Sequence, residues 1–160
     1  MKEELKGQRG ASMVEFAFVL PLLIVLIFGI IEFGLYLYNQ QVITNASREG
    51  ARAGIVAPIP RLLDTGGSGC TTPPSSIDQV VQCYCASHIV SLGSGSSGPT
   101  TTVEIIQPDG TVTGWSSNAP FGDLLRVTVN YTYAFWVIPN FIPGIASLRA
   151  MQAIAVMKYE

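Results

Sequence analysis

Charged residues and histidine are scarce in this chain, and their scarcity limits the chemistry available to it. Of 160 residues, 12% are charged and one is a histidine, His88, and the formal net charge is −2. No basic patch is present that would bind nucleic acid, and no Gly-x-Ser-x-Gly, phosphate-loop or HExxH motif accompanies the histidine. The sequence therefore predicts neither an enzyme nor a nucleic-acid-binding protein, and it predicts no cofactor and no small-molecule substrate.

Cysteine is also rare, and three cysteines cannot all pair within one chain. Cys83 and Cys85 lie two residues apart, and closure of either one to Cys70 would form a loop of about 12–15 residues and stabilise the fold by about 3 kcal/mol. The remaining thiol would stay free or pair between chains. Three cysteines and His88 also supply zinc-ligand atoms, but the Cys-x-Cys spacing suits zinc poorly, so no metal site is predicted.

Hydrophobic residues, in contrast, are abundant. They make up 48% of the chain and are concentrated near the N-terminus. Residues 16–31 carry no charge, and Glu32 is the sole charge within residues 16–38. A membrane-spanning helix needs about 20 mostly apolar residues, whereas the apolar region of a secretory signal has about 7–15. The sequence therefore predicts one retained membrane span at about residues 16–38.

Basic residues flank this span on both sides and slightly favour a cytoplasmic N-terminus. Three precede it, whereas Arg48 and Arg52 follow it within the distance that counts for the positive-inside bias. The cysteines and the serine-, threonine- and glycine-rich remainder suit an extracytoplasmic compartment. Together these features predict a single-pass protein whose larger part lies outside the cytoplasm.

The predicted helix extends well beyond the membrane. No proline interrupts residues 39–57, and small or apolar residues recur there at three- and four-residue spacing until two prolines follow. A helix from Ala11 to about Val56 would be about 70 Å long, which exceeds the thickness of any bilayer. Pro21 lies within the span and is expected to kink it or to free a carbonyl locally.

Small residues form a series on the distal part of this helix. Ala46, Gly50 and Gly54 recur every four residues, and such a series allows another element to approach closely. The partner is either a helix of another subunit or the protein's own sheet.

The remainder of the chain predicts a small α+β head. Residues 58–75 are rich in proline, glycine and threonine and are expected to form a loop. Ser76-Ile77-Asp78-Gln79 has the form of a capping box, which predicts a helix that begins there and runs to about Leu92. A glycine-serine connector over residues 93–99 follows it.

Beyond the connector the hydrophobic period changes to two. Alternation over residues 101–106, a Pro-Asp-Gly turn and residues 111–115 predict a hairpin. The alternation from Leu125 to Phe135 predicts a strand with one buried and one solvated face. Residues 148–159 suit a strand or a helix, and a strand is favoured. Between these two segments, residues 136–143 are apolar and are expected to cap the sheet or to dock on a partner subunit or the membrane.

The termini of the chain resemble a known family. Arg9-Gly10-Ala11 through Glu15-Phe16-Ala17, Leu-Pro-Leu-Leu at residues 20–23, and residues 29–34 and 45–54 resemble the N-terminal part of the TadE-like family. The strand at residues 127–131 and the segment at residues 153–157 are similar, more loosely, to its C-terminus. The resemblance implies a pseudopilin, or minor pilin, of the tight-adherence (Flp-type) pilus system.

The first part of this pattern resembles a prepilin processing site, in which a glycine is followed after four residues by a glutamate and an aromatic residue. The resemblance implies that prepilin peptidase cuts between Gly10 and Ala11. Three parts would follow: a leader at residues 1–10, a pilin-like helix at residues 11–57, and an extracytoplasmic head at residues 58–160.

Two glutamates acquire roles from this resemblance. Glu15, beside Phe16, is expected to pair with the new N-terminal amine of its own or a neighbouring subunit and so to set subunit register, since an ion pair costs less to bury than a lone ion. Glu32 lies 17 residues further on and shares a polar stripe with Tyr36 and Asn39. This stripe is expected either to contact another pilin or to reach the outer membrane–water interface.

The resemblance also implies partners and a location. The partners are prepilin peptidase, other pilins and pseudopilins, the inner-membrane pilus assembly platform and membrane lipid, and the location is the bacterial inner membrane or a surface pilus. Pilus assembly, surface adhesion and biofilm formation are the implied functions. Two alternatives remain open: an untrimmed membrane-anchored envelope binding module, and a pseudopilin of a related secretion system.

Overall fold

One helix runs through a third of the chain. The computed structural model describes residues 4–56, 76–93, 96–116, 120–137 and 148–159, and in it helix α1 extends from Glu4 to Val56. Its 53 residues correspond to about 80 Å at 1.5 Å per residue. Pro21 lies inside α1 and the helix continues through it, as helices in membranes often do.

The second helix begins where its capping box predicts and ends earlier than expected. Helix α2 spans Ile77–His88, and the Ser76 hydroxyl accepts a hydrogen bond from the Gln79 backbone N–H at 3.3 Å. The predicted end at Leu92 is wrong, because the chain is already extended at Ile89. The backbone of Val90 bonds to the side chain of Asn39 on α1 and so cannot continue the helix.

Four strands form one antiparallel sheet in the order β2-β1-β3-β4. They are β1 (Thr100–Ile106), β2 (Val112–Gly114), β3 (Leu124–Ala134) and β4 (Leu148–Lys158). The predicted α+β fold, with a long N-terminal helix and a small head, is confirmed. The C-terminal segment, whose sequence suits a helix equally well, forms a strand because all 11 of its residues pair with β3.

The turn between β1 and β2 follows its sequence closely. Gly110 adopts φ +87°, which a residue without a side chain accommodates readily. The Asp109 carboxylate accepts a hydrogen bond from the Thr111 N–H at 2.9 Å, and this bond lowers the pKa of Asp109 below its usual value. The hairpin is therefore closed by local interactions.

The core lies between one face of the sheet and the two helices. In β3, every second residue from Leu125 to Tyr133 is buried, and the intervening residues are half-buried. On the outer face, Arg126 and Glu104 form a cross-strand ion pair at 3.2 Å. The predicted division of β3 into a buried and a solvated face is thus confirmed.

The head lies alongside the distal half of α1, and β3 runs antiparallel to the helix. Leu125, at the start of β3, contacts Gly54 near the end of the helix. Trp136, just after the end of β3, is hydrogen-bonded to Glu32. These 22 helical residues correspond to about 33 Å, and the matching 11 residues of extended chain correspond to about 36 Å. The two lengths agree, so strand and helix axes are nearly aligned.

The first prediction concerns the closest approach between helix and head. A Cβ added to Gly54 would lie 2.5 Å from Leu125 Cδ2 and 2.7 Å from Ile77 Cδ1. Gly54→Val is therefore expected to lower the free energy of unfolding of the head by about 1–3 kcal/mol through overpacking. Chemical denaturation of the full chain in detergent, monitored by near-UV circular dichroism, would measure this change in the free energy of unfolding.

Gly34→Val is the matched control, because a Cβ at Gly34 meets no described atom within 4 Å. It places the same residue in the same helix. Equal unfolding midpoints for the two variants would contradict the packing described for Gly54.

Candidate membrane-anchoring and assembly site

The proximal part of α1 is apolar and uncovered. From Met13 to Ile31 its large hydrophobic side chains are mostly exposed, with Phe18 at 80% and Leu22 at 71%. Within the described residues, α1 is the one helix long and apolar enough to cross a membrane. An apolar surface of this extent on a folded chain marks a site for lipid or for other apolar helices.

The proposed processing residues lie at the start of this apolar surface. Gly10 and Ala11 are part of the helical backbone of α1, while Glu15 and Phe16 are exposed. The structure therefore leaves Glu15 accessible to a partner one helical turn from Ala11. Its predicted role in register stays a prediction.

Glu32 ends the exposed apolar segment and has an unexpected intramolecular role. It is 3% exposed, and its carboxylate accepts hydrogen bonds from the backbone N–H groups of Trp136 and Val137. Both carboxylate oxygens lie 3.2 Å from the Val137 nitrogen. These charge-assisted bonds compensate the carboxylate for its burial and attach the end of β3 to the helix.

Asn39 attaches a second segment of the head two turns further along α1. It is fully buried, its side-chain amide donates to the Val90 carbonyl at 2.6 Å, and its side-chain carbonyl accepts from the Val90 N–H at 3.0 Å. One side chain thus satisfies both polar groups of a residue outside the regular elements. The polar stripe of Glu32, Tyr36 and Asn39 therefore holds the protein's own head.

An aromatic cluster fills the space between these two attachments. Tyr36 stacks on Phe135 at 5.7 Å between ring centroids and meets Tyr133 edge-on at 5.8 Å, and Phe33 stacks on Tyr36 at 6.3 Å. Burial, and then the nearby charge of Glu32, raise the pKa of Tyr133 above its ordinary value. We refer to Phe33, Tyr36, Tyr133 and Phe135 as the basal aromatic cluster.

The small-residue series lies within the same intramolecular contact. Ala46 and Gly50 are buried, and a Cβ on Gly50 would lie 2.7 Å from Val81 Cγ2 on α2. Gly54 approaches Ile77 and Leu125. Of the two uses expected for this series, packing on the protein's own head is the one found, and α2 takes part as well as the sheet.

The cysteines differ sharply in state. Cys83 is disulfide-bonded, whereas Cys85 is a free thiol that is fully buried. Burial raises the pKa of Cys85 to about 11. Of the two cysteines predicted to pair with Cys70, Cys85 is therefore not the one bonded. Cys70 itself lies outside the described residues, so its disulfide stays a prediction.

His88, the last residue of α2, stacks on a neighbouring aromatic ring. The ring of His88 lies 4.5 Å from that of Tyr84, and its Nδ1 contacts the Ser87 hydroxyl at 2.6 Å. The described residues bring together no group of three metal-ligating side chains.

Residues 10–52 match the family model described as TadE-like protein. The match confirms the resemblance over this segment, which includes Gly10, Glu15, Glu32 and the first two residues of the small series. The matched family is associated with the Tad pilus and is a structural, non-enzymatic kind of protein. No curated protein and no solved structure matches the chain significantly.

The second prediction tests the attachment at Asn39. Asn39→Ala would leave the buried polar groups of Val90 without partners, and we expect it to lower the free energy of unfolding by about 1–3 kcal/mol. Amide hydrogen exchange at Val90 should accelerate in parallel. Asn45→Ala, at an exposed position of the same helix, is the control and should change neither quantity. Slow exchange at Val90 in Asn39→Ala would contradict the assignment.

The third prediction concerns Cys85. Because the thiolate is the reactive form and burial holds the pKa of this thiol at about 11, alkylation by iodoacetamide at pH 8 should be slow in the folded protein and fast in denaturant. The pKa of an unfolded cysteine thiol is about 8.5. The folded state is therefore favoured fully below that pH and loses this contribution as the pH rises through about 11.

Mass spectrometry would count the added label without reductant. One equivalent should appear after unfolding, and Cys85→Ser should add none. Rapid labelling of the folded protein at pH 8 would show that Cys85 is not enclosed as described.

Proposed function

We propose that this protein is a pseudopilin, or minor pilin, of a tight-adherence pilus system. Prepilin peptidase would trim it after Gly10, and it would act in pilus assembly and surface adhesion through association of helices. The observation that carries this proposal is the exposed apolar segment of bilayer length on α1, whose start overlaps the Gly10…Glu15-Phe16 pattern. The match over residues 10–52 supports it.

Trimming would change the electrostatics at the start of the helix. Cleavage would create an α-ammonium group on Ala11, and Glu15 follows it by four residues, which places both groups on the same face of a helix. A charge at the centre of a spanning helix costs roughly 2.5–3.5 kcal/mol, and less near the interface. Pairing of the ammonium with Glu15 of the same or a neighbouring subunit would reduce this cost and set the axial register.

The structure limits which surface can associate with other subunits. The small series at Ala46, Gly50 and Gly54 is covered by the head, so it is not open to a neighbouring helix. Association is therefore expected to use the uncovered segment from Met13 to Ile31. In membranes, helices associate through van der Waals packing and polar pairs, which Glu15 would supply here.

The proposed topology places the N-terminus in the cytoplasm and the head outside, with α1 as a single span in the bacterial inner membrane. The disulfide of Cys83 suits an oxidising, extracytoplasmic compartment. The proposed partners are prepilin peptidase, other pilins and pseudopilins, the inner-membrane assembly platform and lipid. Incorporation in a surface pilus is compatible with the same arrangement.

One observation favours a second candidate, an untrimmed membrane-anchored envelope binding module. The contacts that hold the head to α1 begin at Glu32 and involve none of the residues near the proposed cleavage site. The head therefore does not depend on trimming for its attachment. The experiment below separates the two candidates.

The fourth prediction is that trimming requires Gly10. Gly10→Val should block removal of residues 1–10, because the side chain occupies the position next to the scissile bond. The measurement is the intact mass and N-terminal sequence of membrane-extracted protein, from cells with and without prepilin peptidase. The unmodified chain should begin at Ala11 only when the peptidase is present.

Gly7→Val is the matched control, since it alters another glycine of the leader and should leave trimming intact. A full-length chain in the presence of the peptidase would exclude the pseudopilin proposal and leave the anchored module. Cleavage beyond Tyr38 would instead indicate a secreted domain.

A further inference from the structure

Exposed aromatic side chains collect at one end of the head, where it meets the apolar part of α1. Trp136 is 57% exposed and Phe33 is 55% exposed. Phe33 follows Glu32 in sequence, and the backbone N–H of Trp136 is hydrogen-bonded to the Glu32 carboxylate. An exposed tryptophan ring presents a large apolar area together with one polar N–H group. Trp136 follows the basal aromatic cluster directly.

The position of these residues along the helix is defined by the apolar segment. The exposed apolar segment from Met13 to Ile31 has 19 residues, which corresponds to about 28 Å of helix, and the hydrocarbon core of a bilayer is about 30 Å thick. Glu32 is the next residue. A bilayer around the exposed segment would therefore end at the level of Phe33 and Trp136.

The hydrogen bonds of Glu32 fix the orientation of this end of the head. The carboxylate accepts from two consecutive backbone N–H groups, those of Trp136 and Val137, and is 97% removed from solvent. Trp136 is thereby held beside the helix at the last turn of the apolar segment. Arg149 pairs with Tyr133 in the register of β3 and β4, three residues of chain before Trp136, or about 10 Å. It is exposed, and its guanidinium suits a lipid phosphate in the headgroup region.

We infer that the base of the head is a lipid-contacting surface, in which Trp136 and Phe33 lie among the lipid headgroups and Glu32 acts as the positioning residue that holds Trp136 there. Amphipathic aromatic rings concentrate at membrane–water interfaces. The occupant is the bilayer interface, because the surface is continuous with the helix segment that would cross the bilayer. This inference rests on the membrane insertion put forward under the proposed function.

The chain contains two tryptophans, and the structure places them at opposite ends of the head. Trp115 follows Gly114, which pairs with Glu104, and Glu104 pairs in turn with Arg126 near the Gly54 end of the helix. That end lies about 33 Å along the helix from Glu32. Trp115 is therefore a built-in control for Trp136.

The fifth prediction uses this arrangement. The full chain would be reconstituted in liposomes whose lipids carry a spin-label quencher either near the headgroup or near the acyl terminus. Trp115→Phe leaves Trp136 as the one tryptophan, and Trp136→Phe leaves Trp115. We expect the headgroup label to reduce Trp136 emission by about twofold, the deep label to reduce it less, and neither label to affect Trp115.

A third variant of the chain tests whether α1 inserts into the bilayer. Phe18→Trp in a background lacking both native tryptophans places the fluorophore within the exposed apolar segment, and the deep label should quench it. If Phe18→Trp is quenched and Trp136 behaves like Trp115, the inference is overturned while membrane insertion stands. If none of the three positions is quenched, both insertion and the inference are wrong.

Two Glu32 variants in the Trp115→Phe background test the positioning role. Glu32→Leu removes both acceptor oxygens and should reduce the quenching of Trp136, whereas Glu32→Gln keeps one acceptor and should retain most of it. Equal, undiminished quenching in both variants would overturn the role of Glu32. A blue-shifted Trp136 emission without quenching would indicate a protein partner at this surface and would overturn the lipid assignment.

Discussion

The attachment of the head to α1 depends on the buried carboxylate of Glu32. It accepts hydrogen bonds from the backbone N–H groups of Trp136 and Val137, which lie just beyond the end of β3. Leaving either side of this contact unsatisfied in a buried position would cost about 1–3 kcal/mol or more for the charged group. The contact therefore specifies where β3 ends relative to the helix, and the positions of the other strands follow from β3.

The remaining contacts with α1 extend from this point in one direction. Asn39 binds Val90, Gln40 donates to the Gln152 carbonyl at 3.1 Å, and the glycines at 50 and 54 admit α2 and β3 at close range. Polar side chains thus act near the proximal end and small residues at the distal end. Because the contact covers about 33 Å of helix, the head cannot pivot on α1 without breaking several unlike interactions together. Orientation of the helix in a membrane would therefore determine the orientation of the head.

Local sequence was sufficient for those elements whose determinants are local. Ser76 and Gln79 mark the start of α2, Asp109 and Gly110 mark the hairpin, and the alternation of β3 identifies its buried face. The polar stripe on α1 was also visible in the sequence, but its partners were not. Glu32 bonds to residues 104 and 105 positions away, and Asn39 to one 51 positions away.

Those partners are backbone groups, which every residue carries, so no side-chain pattern distinguishes them. A distant partner also explains the wrong end of α2, because Asn39 binds the backbone of Val90 and the chain is already extended at Ile89. For the small series, the sequence indicated a close approach correctly but could not say which element approaches. That choice depends on the position of α2 and β3, which the contact at Glu32 helps to determine.

Glu32 lies where the exposed apolar segment of α1 meets the part covered by the head. A carboxylate at this boundary has a consequence that an apolar residue would not have. In the proposed topology, a shift of α1 by one turn toward the cytoplasm would draw Glu32, with the peptide groups bound to it, into hydrocarbon, where each polar group is costly. A shift of one turn outward would expose Ile31 and Phe28 to water, each with an unfavourable hydrophobic term of about 1.5–3 kcal/mol at full exposure. A leucine at position 32 would still oppose the outward shift, but it would no longer oppose the shift toward the cytoplasm. Glu32 therefore combines two constraints in one residue, since the bonds that hold the head in place also oppose its movement into the membrane.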